Sequence, residues 1–130
     1  MKLKTIFTVN YIIAFLFGAG FTFFPTLCSS LMGFNVVGDF SLIARGLGVF
    51  VIGTGVLTFF ARDASKSEAR RAIVLSSFTL YILLILYKLT LNLLYGISFN
   101  LIFASIYVIH IGLLVAYGYF LFGGPREIES

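Results

Sequence analysis

The stretch AIVLSSFTLYILLILYKLTLNLLY, Ala72 to Tyr95, holds a single charged residue, Lys88, in 24 positions. An α-helix crosses the hydrocarbon core of a bilayer, about 30 Å thick, with about 20 apolar residues, so this run is long enough to span. A transmembrane β-strand would alternate apolar and polar residues over about 9–11 positions. Ile82 to Leu86 is apolar without interruption, which selects the helix. Working outward, three more runs have the same character: Thr5 to Phe24 without a charge, Phe40 to Ala61 with Arg45, and Ser98 to Phe122 with His110. The whole chain of 130 residues agrees, being 60% hydrophobic and 11% charged with a mean hydropathy of +1.08. Soluble domains are about 45–50% apolar and about 25% charged. The sequence therefore predicts an all-α polytopic membrane protein, one domain built as a four-transmembrane-helix bundle, and excludes a soluble globular fold.

Helix-end signals punctuate these runs. Asp39 can cap the second, Ser65-x-x-Glu68 reads as a capping box for the third, Gly96 can close it, and Gly123-Gly124-Pro125 ends the fourth. Outside the spans, Lys2, Lys4, Arg62, Lys66, Arg70, Arg71 and Arg126 all fall on one side, whereas the 25–39 loop and the turn at Gly96 carry no basic residue. Basic loops stay cytoplasmic. Both termini are thus expected inside, with the 62–71 loop and the 123–130 tail, in the cytoplasmic (inner) membrane. The first run follows two lysines, as a signal peptide would, but it exceeds the length of an h-region and no Ala-x-Ala site follows, so it reads as a span. Pro25 to Met32 is expected to form a short helix, with Leu27, Leu31 and Met32 available for an apolar face on the outer interface. Such a segment is either a loop resting on lipid or a lid over the bundle.

Helices in lipid associate through small residues. Ala44, Gly48 and Gly55 form such a stripe on the second span, Gly112 and Ala116 on the fourth, and Ala14 and Gly18 on the first. The third span gathers Ser77, Tyr81, Lys88, Asn92 and Tyr95 on one helical face, and the fourth gathers Asn100, Tyr107, His110 and Tyr117. Polar side chains in a membrane turn toward protein. The short turn at Gly96 makes these two spans antiparallel neighbours, so Tyr81, Tyr107 and His110 are expected to form a polar bundle face.

Two cations stand inside the spans. Lys88 lies about 10 Å and Arg45 about 8 Å below the outer end of their helices at about 1.5 Å of rise per residue, and the only carboxylate on that side is Asp39. Three arrangements satisfy them: snorkelling to the headgroups with a contact to Asp39, an anionic lipid head or amphiphile held by Arg45, Lys88, Asn92 and Asp39, or an acidic residue of a partner protein. His110 is either a hydrogen-bonded packing residue or, with a second ligand or a carboxylate supplied from elsewhere, part of a haem site or proton relay. One cysteine, Cys28, and one histidine exclude an intrachain disulfide and a single-chain zinc or iron–sulfur cage, so no metal and no cofactor is expected. Tyr95 and the pair Tyr117 and Tyr119 suit interfacial belts. Catalysis is not expected: no Cys/His pair or acidic dyad occurs in the spans, and Gly46-x-Gly48 lies within a helix.

Phe23-Phe24-Pro25, Leu31-Met32-Gly33-Phe34 and Ala44-Arg45-Gly46-Leu47-Gly48 together resemble the small DoxX-like and related uncharacterised four-helix membrane proteins of bacteria, over the first half of the chain. That resemblance implies a compact four-helix membrane bundle with cytoplasmic termini and no defined activity. The small multidrug resistance transporters are less similar, since they carry a glutamate in the first span and Thr5 to Phe24 has no acidic residue. The expected function is that of a binding or accessory subunit with a site for an anionic lipid or amphiphile in the outer leaflet. Membrane lipid is its expected partner, together with further copies of itself or a larger membrane complex, and nucleic acid is not. The alternative is an oligomeric transporter or channel for an anion or small lipophile.

Overall fold

Among the described residues five α-helices follow one another: α1 (Leu3–Phe23), α2 (Pro25–Leu31), α3 (Asp39–Ala61), α4 (Glu68–Tyr95) and α5 (Leu101–Phe122). The computed structural model describes residues 2–33, 38–95 and 100–123; the side chains of Asp39, Leu91, Leu94 and Tyr95, the turn at Gly96 and the chain from Gly124 onward lie outside that description. Among the described residues there is no strand. Four of the helices are long and apolar enough to cross a membrane: α1, α3 from Phe40, α4 from Glu68 to Thr90, and α5. Their 21 to 23 residues correspond to about 32–35 Å of helix at 1.5 Å per residue, the thickness of a hydrocarbon core.

The helix ends have identifiable causes. The Phe24 N–H closes α1 on the Gly20 carbonyl at 2.8 Å. Pro25 then opens α2 at its first turn, where a missing N–H costs nothing. The chain leaves α2 through Gly33 at φ 87°, a conformation that glycine adopts without a Cβ penalty. Ser67, rather than Ser65, caps α4: its hydroxyl accepts the Arg70 N–H at 3.2 Å, the bond from cap to third residue that defines a helix start, so Glu68 is the first helical residue. Similarly, Asn100 Oδ1 accepts the Phe103 N–H at 2.7 Å, which starts α5 at Leu101 and makes Asn100 a cap instead of a member of a polar stripe. Its amide also donates to the Leu31 carbonyl at 3.1 Å and ties α2 to the start of α5.

The helices pair before they bundle. α1 packs most extensively on α3 and α4 on α5, while smaller α1–α5 and α3–α4 contacts join the pairs and α2 rests on α1 and α3. The buried core lies toward one end, from Leu3, Ile6 and Phe7 of α1 and Ala61 of α3 to Val74 of α4 and Phe120 of α5. At that end Lys4 Nζ meets Asp63 at 2.5 Å and Arg62 meets it at 2.6 Å, clamping the start of α1 to the end of α3. Lys4 first, and then Arg62, hold the Asp63 carboxyl below its ordinary value. In each long apolar helix only 17% to 33% of its 18-residue apolar stretch is buried inside the molecule. The remaining surface carries side chains such as Leu16, Leu42, Ile43, Val108 and Val115, an exterior suited to lipid as solvent.

Candidate functional site

The polar residues divide between two helix interfaces of different construction. Along α1–α3 the backbones nearly touch. A Cβ added to Gly48 would stand 2.6 Å from the Thr22 nitrogen and 2.7 Å from the Gly18 carbonyl, and one added to Gly18 would stand 2.6 Å from Ile52. Gly55 meets Ala14 in the same way at 3.1 Å, and Ala44 is buried. Gly112 of α5 differs, because a Cβ there would meet open space, whereas Ala116 one turn further on is buried in the core.

Arg45 belongs to the α1–α3 seam. Its Nη1 donates to the Thr22 carbonyl at 2.7 Å, within the last turn of α1, where helical carbonyls lack intrahelical donors and the helix dipole favours a cation. The side chain that the sequence offers as an anion ligand therefore has a local partner. Asp39, its proposed neighbour, has a side chain outside the described residues.

Lys88 is placed differently. It is 9% exposed, and its Nζ lies 2.5 Å from His110 Nδ1 and 5.1 Å from the centre of the Tyr107 ring. An ammonium donates to Nδ1 only when that nitrogen carries no proton, so the direction of this bond follows the His110 tautomer. Lys88 thus turns inward to α5, and Arg45 and Lys88 serve different helix pairs. Asn92, one turn beyond Lys88, is half-buried.

Below Lys88 the polar face continues through the bundle. The Tyr81 ring packs 5.4 Å from the His110 ring and 6.0 Å from that of Tyr117. Tyr81 Oη donates to Asn10 Oδ1 at 2.5 Å, and Asn10 Nδ2 donates to Tyr117 Oη at 2.8 Å. Asn10, Ser77, Tyr81 and Tyr117 are all buried. This overturns the expectation of Tyr117 as a belt residue: it is fully buried, while Tyr119 is half-exposed, because position 117 faces α1 and α4 and position 119 faces outward. Asn10 was not singled out from the sequence. Its signal was available, since it stands one turn before Ala14 and two before Gly18, on the face that packs inward.

The fold and site together define a helical bundle of four membrane-length helices with a polar, cationic interior. Compared with protein-family models, curated proteins and solved structures, the chain matches none.

Proposed function

We propose that the protein is a small integral membrane protein of the cytoplasmic membrane, with both termini inside and α2 lying on the outer interface, that acts as a binding or accessory subunit for an anionic amphiphile. The observation that carries this reading is the Lys88 ammonium, buried between His110 and Tyr107 in a chain whose four apolar runs contain no acidic residue. Placing a lysine at membrane depth costs about 2.5–3.5 kcal/mol on insertion scales, and such residues mark binding and transport sites. In this reading one of the three ammonium N–H groups donates to His110 Nδ1. A carboxylate or phosphate ester entering beside Asn92 supplies acceptors for the others, and its hydrocarbon tail lies against the apolar exterior. Further copies of the chain, or a larger complex, cover part of that exterior.

Native mass spectrometry of the full chain in mild detergent, titrated with phosphatidylglycerol or phosphatidylcholine, tests the reading. Lys88→Met is expected to remove one bound anionic lipid and leave phosphatidylcholine binding unchanged; equal retention of phosphatidylglycerol by the variant contradicts it.

A second reading draws on the continuity of Lys88, His110, Tyr81, Asn10, Tyr117 and Ser77 through the bundle. Several copies arranged around such a face would form a pathway for an anion or small lipophile. Anion flux into proteoliposomes above the empty-vesicle rate, abolished by Lys88→Met, supports that reading, and flux no greater than that of empty vesicles refutes it.

A further inference from the structure

At the end of the bundle remote from Lys88, α3, α4 and the segment between them border a groove of about 240 Å³. Val56, Leu57 and Phe60 of α3 and Ile73 of α4 line it, and Arg70 stands at the same groove. Leu57 and Phe60 remain largely exposed, so the groove presents uncovered hydrocarbon next to a guanidinium. Arg70 is held against the bundle, with its charged carbon 5.8 Å from the centre of the Phe7 ring. Its neighbours Lys66 and Arg71 are exposed and do not belong to the lining.

We propose that this groove binds one anionic phospholipid, its phosphate on Arg70 and part of an acyl chain along Val56, Leu57, Phe60 and Ile73. Two features select this occupant. A guanidinium matches the geometry of a phosphate with paired N–H donors, and apolar walls beside it accept what a free phosphate lacks. The volume is below the roughly 300–1,000 Å³ of pockets that enclose a whole small molecule, as befits a groove that holds one segment of a chain while the rest stays in the bilayer. Along α4, Arg70 and Lys88 are 18 residues apart, about 27 Å at 1.5 Å per residue, so this site is separate from the one around Lys88 and stands or falls without it.

The test is native mass spectrometry of the full chain titrated with phosphatidylglycerol, phosphatidylcholine or inorganic phosphate, using Arg70→Gln, Arg71→Gln and Ala69→Phe, each checked for unchanged helicity. Arg70→Gln is expected to weaken phosphatidylglycerol binding about tenfold, the effect of losing a charge-assisted pair. Arg71→Gln, which removes the same charge one residue away, is expected to change it less than about twofold, as for an exposed, solvent-screened charge. Ala69→Phe fills the groove and is expected to weaken lipid binding while Arg70 is retained, and inorganic phosphate is expected not to compete. Equal losses in Arg70→Gln and Arg71→Gln would reduce the effect to the general charge of the basic loop and overturn the proposal. Undiminished binding in Ala69→Phe, or competition by inorganic phosphate, would overturn the acyl-chain assignment and with it the lipid. Because Lys88 is intact in all three variants, loss of this lipid is distinguishable from loss of the one assigned to Lys88.

Discussion

The α1–α3 seam and the α4–α5 interface solve the same problem in opposite ways. Lipid tails are as apolar as leucine, so helices in a bilayer gain little from hiding hydrocarbon and must associate through close packing or hydrogen bonds. The seam uses close packing: Gly18 and Gly48 bring two backbones together, and its polar contacts lie at its ends, Arg45 on Thr22 at one and Lys4 on Asp63 at the other. The α4–α5 interface uses large polar side chains, Tyr81, Lys88, His110 and Tyr117, with Asn10 of α1 inserted among them. Close packing leaves nothing for a ligand to recognise. A hydrogen-bonded interface retains polar groups in the interior, and in this protein it also holds a charge.

The comparison is broken most severely at Gly48. In Gly48→Ala the added methyl meets the Thr22 hydroxyl and, nearly as closely, backbone atoms of Thr22 and Gly18 that cannot turn aside, so the two helices must part, at a cost of about 1–3 kcal/mol for overpacking. Gly112→Ala, where there is open space, is expected to leave stability unchanged. Unfolding in mixed micelles measures both, and equal losses would remove the distinction between the two glycines. The next largest effect is expected at Asn10. Asn10→Leu breaks the bonds to Tyr81 and Tyr117, and at about 0.6 kcal/mol for an average interhelical hydrogen bond it should cost about 1 kcal/mol. Tyr117→Phe should account for part of that loss, and adding it to Asn10→Leu should cost less than the two single changes summed.

How much of this was legible depends on the kind of force involved. Four helices follow from hydrophobic run length alone, and the inward face of α4 followed from the spacing of Ser77, Tyr81 and Lys88, because a helical period maps directly onto position around an axis. The pairing of Lys88 with His110 rather than with Arg45 was not readable. Axial depth, which made Arg45 and Lys88 look like neighbours, says nothing about which helices are adjacent, and α3 touches α4 far less than it touches α1. The role of Arg45 was hidden for a related reason: its partner is a main-chain carbonyl, and every residue has one. Ser67 and Asn100 as caps show the ordinary slippage of helix ends when several polar residues lie close together.

The smallest expected effect lies at the end of the seam, at Asp63. Its carboxyl is held below the ordinary value by Lys4 and Arg62, so its folded form binds protons more weakly than its unfolded form. The resulting stabilisation is present above the ordinary carboxylate value of about 3.9 and fades as pH falls through the lower folded value. Asp63→Asn is expected to flatten this acid limb, and the Lys4–Asp63 pair is exposed enough that salt should shrink the difference. Identical acid limbs in the two proteins would mean that the clamp contributes nothing.

The central claim, that Lys88 and His110 form one binding site in the bundle interior, is tested most directly by a double-mutant cycle in phosphatidylglycerol binding. Lys88→Met and His110→Phe are each expected to remove the same bound lipid, with the double variant no weaker than either single one. Lys88→Met is also expected to leave stability equal or higher, since replacing a buried charge with a hydrophobic side chain is often neutral or stabilising. Undiminished binding in both single variants, or losses that simply add in the double variant, would contradict the account.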